Sequence, residues 1–220
     1  DWLFGGFGDD DLFGGEGDDN LEGGDGDDEI AGGEGDDVVT GDGGNDDITG
    51  DDGDDDMNGC DGNDDLQGGA GNDDVDGDAG NDEMDGGIGD DDLNGGDGAD
   101  EIDGGYGSDD LLGGTGNDVI HGGMGRDFMT GGAGSDDFDF NSLKEMGRSG
   151  STRDVIKDFR HLADDIDLRS IDASTKVGGN NAFKFIGAKD FSHKAGELHV
   201  VKVDKSGTAY DRMIIEGDVN

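Results

Sequence analysis

One apolar residue recurs at every ninth position along the first 140 residues, in a chain otherwise dominated by glycine and aspartate. Fifteen nine-residue units follow one another without insertion, from GGFGDDDLF at 5–13 to GGAGSDDFD at 131–139. In every unit the first and fourth places are glycine, the sixth is aspartate and the eighth is apolar. A strict period of this kind indicates a repeat architecture, in which one small structural unit is stacked many times.

The last three places of each unit alternate polar, apolar and polar, which predicts a three-residue strand with one buried face. The six residues before them, rich in glycine, predict a turn. Two units would form a coil of eighteen residues, and stacked coils would bury their apolar residues between two parallel sheets. The odd units would supply Leu12, Ile30, Ile48, Leu66, Met84, Ile102, Ile120 and Phe138 to one sheet, and the even units Leu21, Val39, Met57, Val75, Leu93, Leu111 and Met129 to the other.

Charge divides the chain into two parts. The 60 acidic and 14 basic residues give a formal charge of −46, and with 50 glycines and 29% apolar residues this composition alone predicts disorder. Residues 1–140 hold 47 of the acidic residues and one basic residue, Arg126, whereas residues 141–220 hold 13 of each sign. We therefore expect a repeat domain at 1–140 and a separate flank at 141–220.

Several classes of function are disfavoured. So acidic a domain repels the phosphates of nucleic acids, and no apolar run is long enough to span a bilayer. Neither HExxH nor GxSxG occurs, and the four histidines show no ligand spacing. The carboxylates recur with the repeat rather than standing as a pair in a pocket. We therefore expect no catalysis from this chain.

Metal ions are the expected partners of the acidic repeats. Stacking in register would place the sixth-place aspartates in two columns of carboxylates, which require compensating charge. Calcium takes six to eight oxygen ligands, including backbone carbonyls, whereas zinc prefers nitrogen and sulfur, which the repeats offer only at His121 and Cys60. If each ion lies between a turn and the turn two units later, the fifteen turns supply about thirteen sites, and the formal charge falls from −46 to about −20.

The pattern GGxGxDxUx, as in GGEGDDNLE, GGAGNDDVD and GGTGNDVIH, resembles the nonapeptide of the RTX family. The resemblance implies a right-handed parallel β-roll with calcium between successive turns, and export from a Gram-negative bacterium by a type I secretion apparatus. It also implies calcium ligands at the sixth-place side chains and at carbonyls of the glycine turn. Carried over, the aspartates are Asp10, Asp19, Asp28, Asp37, Asp46, Asp55, Asp64, Asp73, Asp82, Asp91, Asp100, Asp109, Asp118, Asp127 and Asp136, and the fourth-place glycines are Gly8, Gly17, Gly26, Gly35, Gly44, Gly53, Gly62, Gly71, Gly80, Gly89, Gly98, Gly107, Gly116, Gly125 and Gly134.

The flank is similar to the C-terminal part of serralysin-type metalloproteases. The matching stretches are DVIKDF at 154–159, DDIDLRSID at 164–172, FKFIGAKDFSHKAGELHV at 183–200 and YDRMIIEGDVN at 210–220. Short strands in this region predict an antiparallel β cap over the end of the roll. In that group the chain runs on to a short apolar end, so we expect this chain to be a truncated C-terminal part of a longer protein.

Two functional hypotheses remain. The leading one is a secreted calcium-binding module that folds on calcium after type I export and stabilises an attached N-terminal domain, such as a metalloprotease, lipase or epimerase. The alternative is a polysaccharide- or surface-binding module of an exported carbohydrate-active enzyme or adhesin. A stripe of aromatic or basic residues along one face would favour the alternative, and the repeats offer few such residues, among them Tyr106 and Arg126.

Overall fold

The computed structural model describes residues 1–141, 154–160 and 163–167, and the backbone of three later strands. The described strands are, in chain order, β1 Trp2–Phe7, β2 Asp11–Glu16, β3 Asn20–Asp25, β4 Glu29–Glu34, β5 Val38–Gly43, β6 Asp47–Asp52, β7 Asp56–Asp61, β8 Asp65–Ala70, β9 Asp74–Ala79, β10 Glu83–Ile88, β11 Asp92–Asp97, β12 Glu101–Asp103, β13 Tyr106–Gly107, β14 Asp110–Gly116, β15 Val119–His121, β16 Met124–Gly125, β17 Phe128–Gly134, β18 Asp137–Asp139, β19 Val155–Ile156, β20 Asp165–Asp167, β21 Lys184–Phe185, β22 Glu197–Val203 and β23 Arg212–Asp218. None of the described residues lies in a helix.

Each strand of the repeat region pairs in parallel with the strand one coil away, so two sheets form. One sheet runs β1-β3-β5-β7-β9-β11-β14-β17, and the other runs β2-β4-β6-β8-β10-β12-β15-β18. The register advances by one coil at each pairing, as in Ile30 opposite Ile48 and Ile48 opposite Leu66. This is the all-β, right-handed parallel solenoid with eighteen residues per coil that the repeat predicts.

The core is a double row of eighth-place side chains between the sheets. Leu12, at the first full coil, is 5% exposed, and Ile48 and Leu93 are completely buried. Odd units supply one sheet and even units the other, which confirms the predicted division of the core. Because each unit contributes one large apolar side chain, the core is narrow: each coil adds only two such side chains, one from each sheet.

The strands are longer than the sequence predicted. In the body of the solenoid they extend from the seventh place through to the third place of the next unit, as in β6 and β8. Pairing continues through these later places, where Asp51 lies opposite Gly69 and Asp52 opposite Ala70. The prediction of a six-residue turn and a three-residue strand is therefore wrong, because the backbone after the first-place glycine rejoins the ladder.

The second place of each unit has a left-handed backbone. Most units have glycine there, but Asp42, Asp51, Cys60 and Asp78 adopt φ values of 71°, 77°, 74° and 65° at this place. Non-glycine residues are uncommon in this region of backbone space, and aspartate is one of those that tolerate it. Cysteine is not one of the residues that tolerate this region, so the backbone at Cys60 is strained.

The solenoid does not end with the last nonapeptide. Val155 and Ile156 in β19 pair in parallel with Phe128 and Met129 of the first sheet. In the second sheet, Ile166 of β20 lies opposite Phe138. Only beyond these strands does antiparallel pairing begin, between β19 and β23 and between β22 and β23. The described flank strands include the predicted antiparallel pairing, although β21 pairs with β22 in parallel, and they join the repeats through one further parallel coil.

No helix among the described residues has the length and apolar character that crossing a membrane requires.

Candidate metal-binding turns

The sixth-place aspartates form two buried columns, one along each edge of the solenoid where the chain passes between the sheets. From Asp19 to Asp136 each is at most 3% exposed. Repetition of the turn brings them there, because alternate units are held in register by the ladders of both sheets. Asp10, in the first turn, is partly exposed. The predicted side-chain ligands are therefore brought into line along the molecule.

From Asp28 to Asp136, one carboxylate oxygen of each sixth-place aspartate has a fixed partner in the preceding coil. The N–H of Asp10 donates to Oδ1 of Asp28 at 2.8 Å, and the N–H of Asp46 donates to Oδ1 of Asp64 at 2.9 Å. The same bond links each aspartate to the one eighteen residues later along both columns, as far as Asp136. Each side chain is thus oriented by the coil before it.

The second carboxylate oxygen has no such partner. Among the residues that the structure describes, Oδ2 is buried and makes no hydrogen bond in every sixth-place aspartate from Asp10 to Asp127. Burying an ionised oxygen without a partner lowers the stability of the fold by about 2 kcal/mol or more, unless a cation compensates the charge. This row of unsatisfied oxygens is the strongest structural indication of metal binding in the turns.

Burial alters the acidity of these groups. Desolvation raises the pKa of Asp55, Asp64 and Asp73 from 3.8 to about 6, against an opposing contribution from the hydrogen bond to the preceding coil, with neighbouring carboxylates raising it further. The same causes raise the pKa of Asp109 to about 8. Without a cation, burial therefore makes these aspartates easier to protonate than exposed ones.

The first-place glycines leave room for the unpartnered oxygens. A Cβ built on Gly50 would lie 2.3 Å from Oδ2 of Asp55 and 2.6 Å from the carbonyl oxygen of Gly68. Both distances are shorter than any real contact, so a larger residue cannot be accommodated without a shift. The carboxylate oxygen and a first-place carbonyl from the next coil converge at a position that only glycine keeps open.

The fourth-place glycines, the other predicted ligands, line the same turns. A Cβ on Gly44 would lie 1.8 Å from the carbonyl oxygen of Gly26, so each of these carbonyls faces the turn one coil further along. At the last turn, Nη2 of Arg160 lies 2.7 Å from the carbonyl oxygen of Gly134 and 3.2 Å from Oδ2 of Asp136. One cationic group can therefore reach both predicted ligand types of a single turn.

The donor set consists of oxygen atoms. Among the described residues, no three carboxylate, imidazole or thiol side chains cluster as a metal site would require. A metal in these turns must therefore combine a carboxylate with backbone carbonyls, which suits calcium and not zinc. His121 instead contacts Asp103, with 2.9 Å between Nδ1 and Oδ2. Cys60 lies at a second place, outside the carboxylate columns.

Two aspartates of the flank continue the columns and were missed in the sequence. Oδ1 of Asp154 accepts the N–H of Asp127 at 3.1 Å, and Oδ1 of Asp164 accepts the N–H of Asp136 at 3.4 Å. Their separations from these donors are 27 and 28 residues, and the GGxG motif of the repeats does not precede them in the sequence. The remaining signal is short: an aspartate two residues before a buried or half-buried isoleucine, as in DVI and DDI.

These features define a class of protein: a parallel β-roll whose glycine turns stack buried carboxylates and carbonyls in the manner of a hard-cation site. The model of the RTX calcium-binding nonapeptide repeat matches residues 1–30, 22–57, 49–84, 58–93, 85–118 and 103–138. These matches cover the repeat region without a gap, and the chain belongs to this family. Its repeats are calcium-binding. No match to this chain was found among curated proteins.

Proposed function

We propose that this chain is a calcium-dependent folding module of a secreted protein, with calcium bound between turns of alternate units. The ligands would be the sixth-place carboxylates together with carbonyls of the first- and fourth-place glycines. About thirteen ions would be held by the fifteen turns. Calcium would supply the positive charge that the unpartnered Oδ2 atoms lack.

The observation that supports this proposal most directly is the row of buried Oδ2 atoms from Asp10 to Asp127. The narrow apolar core cannot by itself offset the burial of so many carboxylates in a chain of formal charge −46. A site at ten times its dissociation constant would add roughly 1.4 kcal/mol to folding. Since successive sites share a turn, their contributions would be gained together, and binding and folding would be one transition.

This coupling suits transport through a narrow conduit. At the low calcium concentration of a bacterial cytosol, charge repulsion would keep the repeats extended and able to pass a type I secretion apparatus. Outside the cell, millimolar calcium would fold them. Folding beyond the exit would oppose return of the chain and stabilise an attached N-terminal domain, whose activity this module would not itself share.

A chelator titration tests the proposal. Circular dichroism and small-angle scattering of the chain in excess EGTA should show an expanded, unordered chain, and millimolar calcium should produce strand structure in one cooperative transition. Magnesium at the same concentration is the control, because it demands a tighter octahedral shell and retains its water. Equal compactness in EGTA and in calcium would refute the proposal.

A further inference from the structure

The last turn of the repeat region differs from the earlier ones in the groups that contact its sixth-place carboxylate. Asp136 is the sixth-place aspartate of the final nonapeptide, and its side chain is completely buried. Its Oδ2 is absent from the set of unpartnered oxygens that runs from Asp10 to Asp127. The difference lies in the flank, which brings a basic side chain to this turn.

Arg160 contacts three oxygens that belong to two successive turns of one edge. Its Nη2 lies 2.7 Å from the carbonyl oxygen of Gly134, 3.2 Å from Oδ2 of Asp136 and 3.3 Å from Oδ1 of Asp164. The Asp164 side chain is 1% exposed, and the Arg160 side chain is 30% exposed. A fourth-place carbonyl and two column carboxylates thus surround one positive charge.

The backbone around Arg160 holds this position firmly. The N–H groups of Ala163 and Asp164 both donate to the carbonyl oxygen of Arg160 at 3.0 Å. Two residues before Arg160, the carboxylate of Asp158 accepts hydrogen bonds from the N–H groups of Gly131 and Gly132 at 3.0 and 2.9 Å. These contacts fix Asp158 and Arg160 against the last coil through side-chain and backbone bonds that the nonapeptides do not use.

At the other end of the roll, the N-terminal ammonium of Asp1 bonds Oδ1 of Asp19, in the place of the stacking amide. Two basic side chains near the last coils lie outside the columns. Lys157 pairs with the exposed Asp110 at 2.5 Å and lies over the ring of Phe128. Arg126 lies over the same ring, 4.5 Å from its centre. Within the described part of the chain, Arg160 is the basic side chain that pairs with a sixth-place aspartate.

We propose that the guanidinium of Arg160 takes the position of a metal ion at the end of this edge, between the turn of Asp136 and the turn of Asp164. The inference rests on the proposed function, since it assumes that calcium occupies the equivalent position between earlier turns. The covalently attached cation neutralises the terminal carboxylates and closes the edge without calcium. The chain therefore binds one ion fewer than its continuous columns of carboxylates would allow.

Counting bound calcium by native mass spectrometry at saturating calcium tests the proposal. Arg160→Ala removes the guanidinium and exposes the oxygens of Gly134, Asp136 and Asp164, so this variant should bind one calcium more than the unmodified chain. Arg126→Ala is the matched control, because it removes the same charge from the roll without opening a column, and it should leave the number unchanged. Arg160→Lys keeps a cation and should also keep the original number.

Amide exchange at Gly131 and Gly132 reports whether the flank stays docked. If Arg160→Ala loosens it, raising calcium should restore the protection of these two amides, because the added ion replaces the guanidinium. An unchanged calcium number in a docked Arg160→Ala variant, protection that calcium cannot restore, or an extra ion in Arg160→Lys would each overturn the inference. Failure of the unmodified chain to bind calcium would instead overturn the proposed function.

Discussion

The N–H of Asp46 donates to Oδ1 of Asp64 at 2.9 Å, across one complete coil, while Oδ2 of Asp64 is buried without a partner among the described residues. The two oxygens of this carboxylate therefore do different work. Oδ1 fixes the stacking of coils, and Oδ2 is the oxygen left for a cation. Substitutions that keep one and remove the other can separate the two roles.

Asp64→Asn should retain the stacking bond and lose the metal ligand. The amide oxygen can still accept the N–H of Asp46, but the negative charge and the free carboxylate oxygen disappear. We expect the calcium concentration at the folding midpoint to rise, by about threefold or more if 0.6 kcal/mol or more of binding is lost. Circular dichroism during calcium titration measures this midpoint.

Asp65→Asn is the control for that variant. Asp65 is the next residue and lies exposed at a seventh place, and its substitution removes the same formal charge. Its midpoint should move much less than that of Asp64→Asn, since general repulsion alone is relieved. Equal shifts in the two variants would mean that charge reduction, and not a ligand position, governs folding.

Gly50→Ala should destabilise the folded roll in calcium. The new methyl group would lie 2.3 Å from Oδ2 of Asp55 and 2.6 Å from the carbonyl oxygen of Gly68. We expect a loss of about 1–3 kcal/mol, as for overpacking at a rigid site, together with weaker calcium binding. Thermal unfolding at fixed calcium measures the first effect.

Gly43→Ala separates this clash from a general effect of replacing glycine. A Cβ on Gly43 would meet nothing within 4 Å, and the backbone there is not left-handed. This variant should be neutral or slightly more stable, because alanine restricts the unfolded chain. A loss at Gly43 equal to that at Gly50 would count against the oxygen-lined position beside Asp55.

Acidification should favour the metal-free folded roll. The pKa values of Asp55, Asp64 and Asp73 rise from 3.8 to about 6, so the folded state binds more protons than the unfolded state between those values. Their contribution to stability is complete below about pH 4 and is lost as the pH rises through 6. For Asp109, with a pKa of about 8, the loss extends to higher pH.

Circular dichroism of the chain in EGTA between pH 8 and pH 5 checks this prediction. Strand content should increase as the pH falls, as protons partly replace the missing cations. In millimolar calcium the same change of pH should weaken ion binding, because protons and calcium compete for one carboxylate. Greater order at pH 8 than at pH 5 in the chelated protein would contradict the assigned direction.

Cys60→Gly should stabilise the folded roll. Cys60 has φ of 74° at a place where most units have glycine, and left-handed backbone costs a non-glycine residue about 1–2 kcal/mol. Relief of strain is partly offset by the greater freedom of glycine in the unfolded chain, so we expect a gain of about 0.5–1 kcal/mol. Ala79→Gly, at a third place without left-handed backbone, should show no gain when melted under the same conditions.

The sequence predicts the body of the fold and not its end. Ile48 and Leu66 could be assigned to one sheet because every contact between units follows from a constant period. Asp154 and Asp164 could not be assigned to the carboxylate columns, since the spacing changes and the GGxG motif does not precede them in the sequence. Strand length was also mispredicted, because the pairing of Asp51 with Gly69 depends on backbone contacts between coils that a single unit does not reveal.

Because the repeats are so uniform, the contacts in the middle of the solenoid do not specify which coil must stack on which. Ile48 meets Leu66 in the same way that Leu66 meets Met84, so a segment displaced by one whole coil would make equivalent contacts throughout the interior. Such a slipped alignment is penalised only where the pattern stops. The pairing of Val155 with Phe128 and the contacts of Arg160 each occur once in the described chain. They therefore fix the last coil in one position, and the alignment of all earlier coils follows from it.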